Sequence, residues 1–381
     1  MMHSNKDSNM RNLLFVGLAV FALASTTVTL HAAAISPGDL VIYRVGDGTA
    51  ALGTTATSVF LDEYTTGGSL VQSIPLPTSG AGVLTAVGNA TTEGDISRSS
   101  DGTTLTFTGY QKTAGGTSPA SDTYLVTPRL IGALSLSGAV SQYSLTNVNG
   151  STAANTIRSA TSVDGSSAFW ISTSVNVDYV GSPSPFGSGA TLIDARNSRQ
   201  VNLGGTTLYG ANGSTTITGK VQSYGVLPTG ATVPTAVVTL ALADAVNSFA
   251  LFDLDPSASA DSAGDDTLYA LSTVEGLLRK YTFNGSSWVA SGSTATAAAN
   301  LTGSASGGSV SLFLTTTTTL STITDSSGYN ANLTGSISSL ATAGANTGFR
   351  GLNMFPVPEP STAVLGGLGL LGLIFARRNK K

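Results

Sequence analysis

The chain has 381 residues, of which 41% are hydrophobic, 45 are Gly and only 10% are charged, with a formal charge of −4; soluble proteins average roughly 25% charged residues. It contains no Cys, and its only two His, His3 and His31, fall before residue 35. From Ile35 onward this excludes Ser-His-Asp triads, Cys nucleophiles and zinc sites built on His or Cys, and it excludes disulfides as a source of stability.

Residues 1–34 read as a secretory signal peptide. Lys6 and Arg11 precede the apolar run Leu13–Ala24, and Ala32-Ala33-Ala34 offers a small-residue cleavage site. The apolar run is short for a membrane span, which needs about 20 residues. Cleavage after Ala34, with Ala32 and Ala34 as the recognised small residues, is therefore expected.

The body, residues 35–356, keeps all but six of the 17 basic residues and all but two of the 21 acidic ones, a net of −8. It has no Lys/Arg-rich run, so nucleic acid is not an expected partner. Nothing in it repeats with a helical period of 3.6. Abundant Thr and Val favour strands, and the glycines punctuate them as turns. Runs such as LVIYRV, TLTFTGY, AFWIST, TLYGA, FALFDL, TLYALST, RKYTF and VSLFLT read as strands. Several are apolar at consecutive positions, as strands buried on both faces are. Turns are expected at Asp47-Gly48, Asp101-Gly102, Asn149-Gly150, Asp164-Gly165, Asn212-Gly213 and Asn284-Gly285. Such pairs suit type I′ hairpins, whose two central residues both need positive φ.

A degenerate repeat runs through the body. Residues 94–110, 155–173, 196–212 and 249–273 each give a strand, a turn with Asp/Gly or Gly-Gly, and a second strand ending near an aromatic. Residues 275–291 continue the plan. An uneven period between about 40 and 65 residues in an all-β sequence points to the four-stranded blades of a β-propeller, six or seven in number.

The densest acidic cluster is Asp253, Asp255, Asp261, Asp265 and Asp266. Its oxygens are weak candidates for Ca²⁺, since the spacing is not that of an EF-hand; solvated turn acids are the plainer reading. Paired carboxylates among these acids, or Asp101 with Asp164, have the chemistry for acid–base work on a glycosidic bond, though nothing in the sequence fixes their separation. Trp170, Trp288, Tyr209, Tyr269 and Phe313 are expected to pack between blades rather than form a sugar-stacking surface. Arg98, Arg158 and Arg199 precede repeat turns and read as equivalent structural positions, each bonding to the next blade. Asn89, Asn149, Asn212, Asn284, Asn300 and Asn332 stand in N-x-S/T sequons that Ser/Thr-rich composition supplies by chance.

The last residues, 357–381, differ from the rest. Pro358-Glu359-Pro360 disfavours helix and keeps the chain extended. Ala363–Ala376 follows without a charge, then Arg377, Arg378, Lys380 and Lys381. A helix of this run, counted from Ser361, would span about 24 Å, short of a hydrocarbon core of about 30 Å. The basic cluster would hold that end on the cytoplasmic side and act as a stop.

In the order of its three parts this tail resembles the PEP-CTERM protein-sorting signal. The resemblance implies recognition by an exosortase, a membrane-embedded processing enzyme of bacteria with an outer membrane, and an association with extracellular polysaccharide systems. The body resembles the secreted β-propeller-like proteins that often carry this tail, through PGDLVIYRVGDG, EGDISRSSDG, FALFDLD, ITDSSGYN and ANTGFRGLNMFP. That likeness implies ring closure, with Leu40–Val45 pairing near Phe349–Phe355.

The expected chain is thus a signal peptide (1–34), a propeller body (35–356) and a sorting segment (357–381) with a transmembrane helix. It would be exported, held transiently in the inner membrane, then delivered to the cell surface or extracellular matrix. There it would act without enzymatic activity or cofactor, in the company of exopolysaccharide. The alternative is a secreted propeller enzyme acting on carbohydrate through carboxylates or a Ca²⁺ site.

Overall fold

The computed structural model describes residues 32–148, 151–181 and 190–357. The leader through His31, the Asn149-Gly150 turn and the segment from Pro358 to Lys381 lie outside them. Pro358, Glu359, Pro360, Arg377, Arg378, Lys380 and Lys381 belong to that last segment.

Strands dominate the described residues. In chain order they begin with β1 (Leu40–Val45), β2 (Ala56–Tyr64), β3 (Leu70–Pro75) and the short β4 (Thr85–Val87). Next come β5 (Ser97–Arg98), β6 (Thr104–Tyr110), β7 (Arg129–Ser135) and β8 (Val140–Leu145). The third group is β9 (Ile157–Ser162), β10 (Phe169–Thr173), β11 (Val177–Gly181) and β12 (Thr191–Asp194). It is followed by β13 (Ser198–Gly204), β14 (Thr207–Asn212), β15 (Gly219–Val226) and β16 (Thr235–Thr239). Then come β17 (Val246–Phe252), β18 (Thr267–Ser272), β19 (Leu277–Phe283) and β20 (Trp288–Ala295). The last are β21 (Asn300–Ser306), β22 (Ser309–Thr315), β23 (Thr319–Asp325), β24 (Ser338–Thr342) and β25 (Gly348–Met354). One 3-10 turn, Pro119–Ser121, interrupts them. No helix among the described residues is long and apolar enough to cross a membrane.

Pairing sorts these strands into six antiparallel blades. Four are consecutive quartets, β9–β12, β13–β16, β17–β20 and β21–β24. Another is β5–β8, and β4 bridges its β6 to β2 of the neighbouring blade. The remaining blade joins the two ends of the body, in the order β25-β1-β2-β3. Leu40 lies opposite Met354 and Ile42 opposite Leu352, so the expected ring closure is present. The innermost strands β25, β5, β9, β13, β17 and β21 touch in that cyclic order. The described residues form a six-bladed propeller closed by one C-terminal and three N-terminal strands.

The sequence repeat is the inner hairpin of each blade. Residues 94–110, 155–173, 196–212 and 249–273 hold β5–β6, β9–β10, β13–β14 and β17–β18. Apolar side chains of the middle strands leave both faces of a blade, and a separate core cluster fills each of the six junctions. In β10, Phe169 and Ile171 pack toward one neighbouring blade and Trp170 toward the other. Phe313 and Leu312 part in the same way along β22.

Inner strands converge on the axis, where little room remains for large side chains. Here the Ser, Thr and amide residues bond across every junction. Asn353 Nδ2 donates to Ile96 O (3.1 Å), Thr106 Oγ1 to Ala160 O (2.5 Å) and Ser172 Oγ to Arg199 O (2.9 Å). Phe249 N donates to Gln200 Oε1 (2.7 Å), Leu301 N to Ser248 Oγ (3.2 Å) and Thr315 Oγ1 to Arg350 O (2.6 Å). The Ser/Thr richness of the chain is therefore partly internal, satisfying buried backbone groups.

The turns depart from the type I′ expectation. Gly48, Gly102, Gly165 and Gly285 have φ between 72° and 90°, but the residues before them do not have positive φ. Those residues instead cap the turn: Asp47 Oδ1 accepts from Thr49 N, Asp101 Oδ1 from Thr103 N, Asp164 Oδ1 from Ser166 N and Asn284 Oδ1 from Ser286 N. An Asx turn with Gly in the left-handed region replaces the two-residue hairpin. At Asn212-Gly213 the same Asx bond forms, from Ser214 N to Asn212 Oδ1 (3.1 Å), but Gly213 does not have positive φ, and Asn212 ends β14 with its Nδ2 donating to Gly219 O (2.8 Å).

Candidate functional site

The six inner strands enclose an axial space that is open at one end and plugged at the other. At the open end lies a cavity of about 860 Å³, within the range of small-molecule sites. It is walled by the C-terminal parts of β5, β13, β17, β21 and β25, and by the segments at Pro37–Asp39 and Pro356–Val357. Its polar groups include Arg98, Gln200, Asn202, Asp265, Thr302 and Asn353.

Arg98 ends β5 and is half-buried in this wall. Its guanidinium makes no hydrogen bond among the described residues; its electrostatic partner is Asp265. Burial pulls Arg98 below the usual arginine value, and Asp265 opposes that shift. Gln200 uses Oε1 on Phe249 N, and Asn202 uses Oδ1 on Leu203 N (3.0 Å). No described residue accepts from either amide NH₂. The funnel thus presents a guanidinium and two amides as unused donors.

Asp265 stands opposite them. Burial is the largest cause that pushes its carboxyl up to about 8, and the neighbouring Asp261 adds to the rise. Asp261 accepts from Tyr209 OH (3.0 Å) and from Ala263 N (2.9 Å). The two carboxylates reach this position because Gly204 has no side chain: a Cβ there would stand 2.2 Å from Asp261 Oδ2 and 2.8 Å from Asp265 Oδ2.

Of the other acids of the sequence cluster, the carboxyls of Asp255 and Asp266 have separate hydrogen-bond partners, although Asp253 is close enough to raise both Asp265 and Asp266. Asp266 accepts from Leu254 N (3.0 Å), Asp255 N (2.6 Å) and Thr267 Oγ1 (2.6 Å), fixing the β17–β18 loop. Asp255 caps a turn through Ser257 N (3.0 Å). Asp253 faces Gly264, where a Cβ would lie 2.9 Å from its Oδ2. No group of three or more acidic or His side chains among the described residues could hold a metal ion. Asp101 and Asp164 are occupied as turn caps.

The plugged end gathers charges. Arg158 Nη1 donates to Asn197 Oδ1 and Ser198 O of the next blade, and Arg350 Nη2 to Gly88 O (2.8 Å). Glu93 accepts from Tyr110 OH (2.8 Å) and is pushed up to about 7, chiefly by burial. Glu93, Asp95, Arg199, Asn247 and Asn300 leave a space of only about 10 Å³, about one water. Arg158 bonds to the next blade as expected, whereas Arg199 sits in the plug and Arg98 in the funnel. The three arginines are therefore not equivalent: Arg98 pairs with Leu105 beside its hairpin turn, whereas Arg158 and Arg199 lie near the opposite ends of β9 and β13, away from theirs.

Trp170, Tyr209, Tyr269 and Phe313 are all buried between blades. Trp288 stacks in a tilted contact with Phe283, centroids 5.6 Å apart. Gln200, Asn202 and Asn353 escaped the sequence reading. Their signal is a polar residue within an inner strand of the repeat.

Residues 356–381 match the PEP-CTERM protein-sorting motif. The motif implies export, a transient stay in the membrane and processing by an exosortase. No curated protein matches the sequence. Among solved structures the chain is similar to the dihydro-heme d1 dehydrogenase NirN, with 12% identity over 81% of this chain and a TM-score of 0.40. The chain spans 55% of NirN's length. It is also similar to the periplasmic gluconolactonase PpgL of Pseudomonas aeruginosa, with 13% identity, 84% of this chain, all of that one and a TM-score of 0.44. A third likeness is the β-propeller domain of Cps50 (Swd1) from Myceliophteria thermophila, with 8% identity, 83% of this chain, 97% of that one and a TM-score of 0.42. The propeller architecture here stands on the chain's own six blades and their closure.

Proposed function

We propose that this is a non-enzymatic exported protein that binds acidic exopolysaccharide in its axial funnel, at the cell surface or in the extracellular matrix of a bacterium with an outer membrane. On this reading a signal peptide is removed after Ala34. Ile35, buried and bonded through its N to Leu136 O (2.8 Å), is then the first residue docked on the body. Exosortase reads Pro358, Glu359 and Pro360 while the apolar run Ala363–Ala376 crosses the inner membrane, with Arg377, Arg378, Lys380 and Lys381 as its stop.

The observation that carries the ligand class is the Arg98 guanidinium, which makes no hydrogen bond among the described residues, in one cavity with two unused amides. Such a donor set suits the carboxylate and hydroxyls of a uronate residue, since Arg recognises carboxylates bidentately. The test is calorimetric titration of Ile35–Val357 with oligomers of a uronic acid and with neutral glucose oligomers of equal length. Binding of the uronate oligomers alone, weakened at least about tenfold by Arg98→Ala, is the expected result. Equal affinity for both, or none for either, sinks the reading.

A second reading rests on the adjacent carboxyls of Asp261 and Asp265, one of them held protonated near neutral pH. Their direct hydrogen bond makes them a pair sharing one proton, and to serve as the two carboxyls of a glycosidase, about 5 Å or more apart, they would have to separate around a substrate. Release of reducing ends from the same oligomers, abolished in Asp265→Asn, would replace binding by hydrolysis.

A further inference from the structure

The folded body is entered and left at the mouth of the funnel. Pro37, Gly38 and Asp39 line the cavity near the start of the body, and Pro356 and Val357 line it at the end. Gly38 N donates to Phe355 O (3.0 Å), fastening the two segments together beside the axis. Only Pro358–Thr362, five residues, separate Val357 from the uncharged run Ala363–Ala376. At 3.3–3.6 Å per residue they reach at most about 18 Å.

This exit lies near the axis, not at a blade edge. A body of this length has a radius of gyration of roughly 20 Å, so the outer strands extend beyond the tether's reach. Tipping the funnel sideways would drive a blade into the bilayer before the mouth faced the solvent. At the opposite end the axis is filled by the charged plug, which leaves room for no more than about one water.

We propose that the membrane-held chain carries its funnel turned toward the lipid surface, so that the cavity is screened from polymeric ligands for as long as the tail remains. The proposal rests on the reading of the tail as a membrane-inserted sorting segment. Orientation follows from where Val357 leaves the fold and from the shortness of the link. A chain without its tail exposes the same mouth freely. Ligand engagement is thereby postponed until after release.

The absence of Cys makes the test clean. Ser306, exposed at the β21–β22 turn, lies at the mouth; Thr317, exposed at the β22–β23 turn, lies at the far end of the same strand β22. Ser306→Cys and Thr317→Cys would be prepared in the full chain and in a chain ending at Val357. The full chains are reconstituted into vesicles of phosphatidylethanolamine and phosphatidylglycerol, with the body outside, and challenged with a bulky polyethylene-glycol maleimide. Tethering is expected to slow modification of Ser306→Cys at least about tenfold and to leave Thr317→Cys unchanged, because a short link forbids the geometry that the reagent needs. A flexible spacer of about 30 residues after Val357 restores the rate. Equal rates at Ser306→Cys in tethered and tail-less chains, with the protein floating together with its vesicles, overturn the orientation alone. Failure to float overturns the tail reading and the orientation with it.

Discussion

Lys280 Nζ lies 3.0 Å from Asp325 Oδ2, a fully buried ion pair that joins β19 of one blade to β23 of the next. Tyr269 OH donates to the same Asp325 oxygen (2.6 Å), and Lys280 also donates to Ser327 Oγ (2.9 Å) and Gly328 O (2.6 Å). Burial is the strongest single influence on Asp325 and would raise it. The bonds from Tyr269, Ser327 and Lys280 together outweigh it and hold the carboxyl below the usual range. Removing Lys280 leaves an uncompensated buried charge, which costs about 3–5 kcal/mol. Lys280→Met should lower the urea midpoint accordingly, and Lys280→Met with Asp325→Asn should recover part of the loss, because the neutral amide keeps an acceptor for Ser327 N and Thr334 N. The pair's contribution is complete above the unfolded carboxylate value of about 3.9 and is lost as pH falls through the lowered folded value. The wild type should therefore show a steep acid limb that the double variant lacks.

The opposite sign applies to buried acids whose carboxyls are raised, among them Asp178 and Glu93 as well as Asp265. Asp178, wholly buried on β11, is pushed up to about 7 by burial, with Asn176 opposing only in part. Glu93 in the plug is pushed up to about 7 chiefly by burial as well. Both are protonated in the fold at a pH where the unfolded chain has released its protons. Stability therefore falls as pH rises from about 4 to about 7, by about 1.4 kcal/mol per unit for each group where the difference is full. Thermal midpoints measured from pH 5 to pH 8 should decline in the wild type, and Asp178→Asn should flatten the decline. A flat wild-type profile would remove both assignments.

The propeller is legible in the sequence because its determinants are local and repeated. Inner hairpins recur as strand, turn, strand, and consecutive apolar residues such as Phe169-Trp170-Ile171 leave no solvent face. Ring closure is legible because LVIYRV and GFRGLNM are complete strands at opposite ends of the body. Turn type is not: Asp-Gly satisfies both a type I′ hairpin and an Asx turn, and the length of the surrounding loop decides between them. Nor is the division of labour among the arginines. Arg98 and Arg158 stand in similar local sequence, yet a difference of position along the inner strand sends one to the funnel and the other to the plug. Nor does the sequence show which acids of the cluster meet: Asp261 and Asp265 converge at Gly204, while Asp255 and Asp266 cap the β17–β18 loop.

Gly351 tests the closure of the ring. A Cβ there would lie 2.4 Å from Asp95 Cα and 2.5 Å from Gly94 O, both backbone atoms that cannot swing aside, and Gly351 N donates to Gly94 O (3.0 Å). Gly351→Ala must push β25 away from the segment before β5, the junction where the two ends of the body are locked. Overpacking of this kind costs about 1–3 kcal/mol or more. Gly53→Ala is the control, since nothing lies within 4 Å of its Cβ and its φ is not positive. It should be neutral, or stabilising by up to about 1 kcal/mol. Chemical denaturation of the two variants side by side separates a tight closure from a general intolerance of glycine loss.

Arg98 and Asp265 give the funnel a pH dependence that structure alone would not require. Arg98 makes no hydrogen bond among the described residues but is half-buried near Asp265, so Arg98→Ala should cost only about 1 kcal/mol. Arg129 is the contrast: it is fully buried and donates to the carbonyls of Thr127, Ala120, Asp122 and Asn155, and its loss should unfold the region. Below about 8 the Asp265 carboxyl is mostly neutral and does not repel an anion held by Arg98. Above that value it ionises, a second negative charge enters the cavity, and uronate binding weakens. Titrations at pH 6.5 and pH 9 should therefore differ by about tenfold or more in the wild type. In Asp265→Asn the neutral amide persists at both values and the difference disappears. Should the wild-type affinity hold constant across this range, Asp265 does not face the bound anion, and the funnel does not hold it at Arg98.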